Sequence, residues 1–120
     1  MTLYHLSYDV KNCESDFKND HNKARKFLLC VLASSNFHQI YRYTESTFLI
    51  IYKDFEPDKF FGFIEKNLIK YFYYSVSVVS INEENKYITR INGNKQLHDS
   101  LQEEITKIDC SNLDKPITDY

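Results

Sequence analysis

The opening run Leu3-Tyr4-His5-Leu6-Ser7-Tyr8-Asp9-Val10 sets an imidazole, a hydroxyl and a carboxylate at two-residue spacing. In an extended strand, residues spaced this way share a face. His5, Ser7 and Asp9 would then stand in a row, while Tyr4, Leu6, Tyr8 and Val10 point the other way. A carboxylate at the end of a strand can hold a hard divalent cation through oxygen, so Asp9 is the leading candidate both for catalysis and for a metal ligand. Mg²⁺ or Mn²⁺ suits such an oxygen site better than Zn²⁺ does. His5 is a candidate general base near neutral pH, and Ser7 is a candidate for binding phosphate. Each residue also has a plainer role open to it. Asp9 can start an Asx turn into Val10-Lys11-Asn12 or belong to an interface. His5 can be a half-buried strand residue. Ser7 can be a small group that lets another surface approach.

The cations Lys23, Arg25, Lys26 and Arg42 are candidates for phosphate contact, or they are solvated surface charges. Tyr41, Tyr43, Tyr71, Tyr73 and Tyr74 can stack on bases, although packing is the default among so many aromatics, 16% of the chain. A formal net charge of −2 argues against tight nonspecific nucleic-acid binding by a single copy, which needs a surplus of Lys and Arg. Other chemistries lack their residues. There are two glycines, too few for a phosphate-cradling loop, and no GxSxG turn for a nucleophilic serine. His21, His38 and His98 have no partner at metal-ligand spacing. Cys13, Cys30 and Cys110 are odd in number and widely spaced, which reads as free thiols in a reducing cytoplasm.

The elements that must position these residues follow from periodicity. The first strand covers 3–10, and 11–18 is a polar loop. Asn19 or Asp20 caps a helix to about Ser35, with Ala24, Phe27, Leu28, Val31 and Leu32 on its apolar face. Segment 37–43 alternates again, Thr44-Glu45 is a short link, and Ser46 to Tyr52 is β-branched and aromatic, together a hairpin. Pro57 suits the first turn of a second helix, whose stripe is Phe60, Phe61, Ile64, Leu68 and Phe72. Tyr74 to Ile81 is a fourth strand. The order β-α-β-β-α-β predicts an α+β, ferredoxin-like βαββαβ domain with two helices on one sheet face and the first strand central. Lys86 to Ile91 adds a fifth strand, and Gln96 to Ile108 adds a short amphipathic helix. Residues 1–91 then form the domain, and 92–120 a helical extension with a frayed tail. At 120 residues with no long apolar span, the expectation is one soluble cytoplasmic domain with no membrane partner.

Leu6-Ser7-Tyr8-Asp9-Val10 on a first strand, a helix, and then Thr44-Glu45-Ser46-Thr47-Phe48-Leu49-Ile50 on a hairpin resembles the Cas-two superfamily of small ferredoxin-like proteins. The look is closest to the stand-alone SinR-like proteins, with the virulence-associated-protein-D toxins as relatives. The resemblance covers roughly residues 3–91. It implies a homodimer with sheet faces together, and a fifth strand, Lys86–Ile91, added to the partner's sheet. It also implies that Asp9 matches the aspartate linked to metal-dependent cleavage of RNA or DNA. The mild acidity departs from a duplex-binding adaptation subunit, and the Gln96–Ile108 helix is additional to the minimal fold.

Two functions are consistent with these residues. One is a homodimeric nucleic-acid-binding protein with endonuclease or endoribonuclease activity, in which Asp9 is paired across the two-fold axis and His5 and Ser7 support it. The other is a noncatalytic protein-interaction module, such as a scaffold, an inhibitor or an antitoxin-like protein.

Overall fold

Strict alternation in the first segment and a side-chain cap ahead of the first long helix set the start of the fold. A computed structural model describes residues 1–80 and 94–119. The elements are β1 (Thr2–Val10), α1 (Cys13–Phe17), α2 (His21–Ser34), β2 (Gln39–Thr44), β3 (Thr47–Tyr52), α3 (Pro57–Leu68), β4 (Phe72–Ser80) and α4 (Lys95–Lys107). Asp20 accepts a 2.9 Å hydrogen bond from the Asn22 backbone N–H and so caps α2. Pro57 opens α3, where a missing N–H costs nothing. Asn94 caps α4 by accepting from Leu97 N at 3.0 Å. Segment 11–18, expected to be loop, contains the short helix α1. It is five residues long with Phe17 as its buried anchor, too short to show a period. Lys18 and Asn19 follow in the left-handed region (φ 54° and 58°) and turn the chain into α2.

The fold is α+β. Four strands form one antiparallel sheet in the order β2-β3-β1-β4, and four helices accompany it among the described residues. This is compatible with a ferredoxin-like arrangement. β1 is central as expected, pairing with β3 (His5 opposite Leu49, Ser7 opposite Thr47) and with β4 (His5 opposite Ser77, Ser7 opposite Ser75, Asp9 opposite Tyr73). The expected fifth strand, Lys86–Ile91, lies outside the described residues.

Period two divides the sheet. Tyr4 and Leu6 of β1, with Phe48 and Ile50 of β3, join Phe27, Leu28, Val31 and Leu32 of α2 and Phe60, Phe63 and Ile64 of α3 in one core. Aromatic rings fill its centre. Tyr4 stacks on Phe60 at 3.9 Å between centroids, and its hydroxyl donates to the Phe55 carbonyl at 2.6 Å. The opposite face has a small cluster of its own, Leu3 and Ile51 with Tyr41 and Leu49. α4 runs beside β2: Leu101 enters the main core, and Gln102 donates to the Ile40 carbonyl at 2.8 Å, so part of the strand's outer edge is covered.

In the C-terminal segment Leu113 and Ile117 pack on the core, and the Thr118 backbone exchanges hydrogen bonds with the buried Asn67 side chain of α3. One expectation needs correction: the cysteines are not all free. Cys30 and Cys110 form a disulfide across 80 residues, leaving Cys13 as the free thiol. Periodicity placed Cys30 among apolar residues of a helix, where it resembles any small hydrophobe. No helix among the described residues is long and apolar enough to cross a membrane.

Tyr4 offers a test of the core. Burial, assisted by the Glu56 charge, pushes its phenol up to about 12 from the ordinary 10.0. Below pH 10 both folded and unfolded chains hold the proton. Between there and about pH 12 the unfolded chain releases it first, so stability falls as pH rises. Tyr4→Phe is expected to cost about 1 kcal/mol at neutral pH and to make that alkaline loss shallower, as read by urea unfolding across the pH range. A thiol titration of the unfolded, unreduced chain is expected to find one reactive cysteine, Cys13.

Candidate functional site

Asp9 is exposed at the end of β1, where the strand leaves the sheet. Two adjoining hollows meet there. One, of about 540 Å³, is lined by Tyr8, Asp9, Val10, His21, Arg25, Arg42, Glu45 and Ser46. The other, of about 480 Å³, runs along the polar row and is lined by Ser7, Tyr8, Asp9, Ser46, Thr47, Tyr73, Tyr74 and Ser75. The turn between β2 and β3 is held close by a hydrogen bond from Tyr8 N to the Ser46 carbonyl, 3.0 Å.

The two arginines at the first hollow are already engaged. Arg42 lies where the β2–β3 register shifts between Tyr41 and Thr44. Only 4% exposed, its guanidinium donates to the Glu45 carbonyl (2.6 Å from Nη2, 3.2 Å from Nε), reaches the Glu45 carboxylate at 3.4 Å, and sits 5.6 Å over the Phe48 ring. It therefore braces the hairpin turn. Arg25 of α2 bonds Glu104 of α4 at 3.3 Å, both half-buried, and ties those helices together. Burial raises the Tyr8 phenol above its ordinary pKa against the pull of Arg42 and then Arg25, while Glu45 and Glu104 add to the rise. Tyr8 is thus a neutral phenol at physiological pH and not a base.

The structure brings three of the expected residues, Asp9, Arg25 and Arg42, around one hollow, and Ser7 and Asp9 along the next. Ser7 shares a 3.0 Å hydroxyl–hydroxyl hydrogen bond with Thr47. His5 is half-buried between Leu49 and Ser77 in register, two residues further from Asp9 than Ser7 is. Lys23 and Lys26 lie elsewhere. They line a separate hollow of about 290 Å³ with Lys18, Lys115, Phe17 and Phe27. His21 and Glu45 were missed as neighbours of Asp9. The available signal was position: His21 directly follows the cap of α2, and Glu45 sits in the hairpin turn.

Among the described residues no group of three or more His, Cys, Asp or Glu side chains is gathered as a metal would require. Asp9 shares the lining of the first hollow with Glu45 and His21. Mg²⁺ is commonly held by one or two carboxylates, with waters and substrate phosphates completing its shell, and an exposed Asp9 is compatible with that donor set. No family model, no curated protein and no solved structure matches the chain.

Stability separates the two kinds of residue at this site. Asp9→Asn is expected to change unfolding free energy by no more than about 0.5 kcal/mol, because Asp9 is exposed. Arg42→Ala is expected to cost about 1–2 kcal/mol by removing the brace on the Glu45 carbonyl. Urea unfolding of the two variants beside the parent checks the contrast.

Proposed function

We propose that this chain is a ferredoxin-like protein of the Cas-two kind, a homodimer that binds RNA or DNA and cleaves it with Asp9 at the centre. The observation that carries the reading is the exposed Asp9 carboxylate, set at the meeting of two hollows with His21, Arg25 and Arg42 beside it. The strand order β2-β3-β1-β4 supports the fold part of the proposal, since it leaves β1 central with its polar row on the face away from α2 and α3. In an isologous dimer a residue near the two-fold axis meets its own copy, which supplies the second carboxylate. Mg²⁺ or Mn²⁺ bound there would neutralise charge on a phosphate. The chain's own residues orient: Ser7, Thr47 and Ser75 offer hydroxyls along the groove leading to Asp9.

A second reading, the noncatalytic interaction module, has its own support. Both arginines beside Asp9 already hold carboxylate partners, Glu104 and Glu45. Tyr73 and Val79, 64% and 55% exposed, present apolar surface on β4. In that reading the His5-Ser7-Asp9 row packs against a protein.

The cytoplasmic setting belongs to the first reading. It requires the Cys30–Cys110 bond to be transient, because cytosolic reductants keep lasting disulfides rare.

Labelled RNA and DNA incubated with the protein and Mg²⁺ or Mn²⁺, beside Asp9→Asn, test the proposal. Metal-dependent cleavage is expected from the parent and none above background from the variant, with the same dimer seen for both by light scattering. Cleavage that survives the substitution sinks the role of Asp9. No cleavage by either chain turns the choice to the interaction module.

A further inference from the structure

Residues 108–119 follow α4 and return across the helices without forming a helix or strand of their own. Cys110 joins them to the middle of α2 through Cys30. The remaining anchors are few. Ile108, Leu113 and Ile117 pack on the core. Lys115 donates to the Asp16 carbonyl, with its ammonium 4.6 Å from the Phe17 ring centroid and 5.2 Å from that of Tyr71. Asn67 Nδ2 donates to the Thr118 carbonyl at 2.9 Å, and Thr118 N donates to Asn67 Oδ1 at 2.7 Å. The sheet and the α2–α3 core have their own strand pairing and aromatic packing, to which this segment adds no paired strand. The strap is thus a layer held by one covalent bond and a handful of separable contacts.

We propose that Cys30–Cys110 is a redox latch: its reduction by a dithiol frees residues 108–119 from the helices while the sheet and its core stay folded. The chemistry has a direction. Cys30 is 1% exposed, whereas Cys110 is partly exposed, so the attacking thiolate reaches the Cys110 sulfur. That sulfur bonds to the reductant, the Cys30–Cys110 bond breaks, and Cys30 leaves as a thiolate that takes up a proton. The second thiol of the reductant then attacks its own sulfur in the mixed disulfide. Cys110 leaves as a thiolate, is protonated, and the reductant departs as a cyclic disulfide. The protein gains two electrons and two protons, and the dithiol loses them. Asn112 to Lys115 form one wall of the hollow that holds Lys23 and Lys26, so release also opens that hollow to solvent. The latch rests on the strap's contacts alone, whether or not the protein binds nucleic acid.

Lys115 reports the state of the latch, because its ammonium is half-buried between Asp16 and two rings. The full chain, oxidised or reduced with dithiothreitol, would be treated with an amine-acylating reagent and mapped by mass spectrometry. Near-ultraviolet circular dichroism would be recorded on the same samples. Reduction is expected to speed Lys115 labelling about tenfold or more while the aromatic signal of the core is kept. Cys110→Ser is expected to show the fast labelling without reductant. Unchanged Lys115 labelling in both the reduced parent and the variant overturns the latch. Loss of the aromatic signal on reduction also overturns it, since the bond would then be a staple of the whole fold.

Discussion

A slip of β1 by one residue against its neighbours would exchange its two faces. Tyr4 and Leu6, fully buried now, would move to the side of His5 and Ser7, and the imidazole and hydroxyl would enter the aromatic core. The cost of burying those polar groups without partners, added to the loss of the Tyr4–Phe60 stack and the Tyr4–Phe55 hydrogen bond, holds the register. Because β1 is paired on both sides, the same constraint aligns β3 and β4, and through their inner faces the seats of α2 and α3.

Asp9 inherits its place from that register. It is on the polar face, but one residue before the strand ends, so it stands at the rim of the sheet and not in its middle. The β2–β3 turn comes to the same rim because Tyr8 N holds the Ser46 carbonyl and Arg42 holds the Glu45 carbonyl. The start of α2 comes there because the left-handed pair Lys18-Asn19 and the Asp20 cap turn the chain back. Three elements distant in sequence therefore converge on one carboxylate. The hydrogen bonds that bring them there do not involve the Asp9 carboxylate.

Much of this was legible in the residues. Alternating aromatic and polar side chains mark β1 and the hairpin, and Asp20 and Pro57 mark the helix starts, because these are local effects of backbone geometry and capping. The exposed position of Asp9 was legible for the same reason, as the last polar member of a period-two row. What was not legible is tertiary. An arginine in an alternating strand looks solvated, and only the register shift beside Arg42 shows that it folds into its own turn. The distribution of cations over two separate hollows also depends on packing: Arg25 and Lys26 are adjacent in the chain, yet helical rotation carries them to different sides of α2.

The C-terminal segment shows the same limit most sharply. Leu113 and Ile117 are four apart but lie in no helix, so no period announces that they pack. Cys110 is surrounded by polar residues, and Cys30 lies in an apolar helical stripe; neither neighbourhood hints at the other across 80 residues. Sparse apolar anchors and one long-range bond are also what set this segment apart physically. A strand such as β1 is held by two ladders and a buried face, so it opens only when the fold does. A strap held by three apolar side chains, one lysine, one asparagine and a disulfide has a stability that can be changed at a single pair of atoms. Its position over the helices and its dependence on sulfur chemistry are therefore one property, and the residues that hide it from sequence reading are those that make it separable from the core.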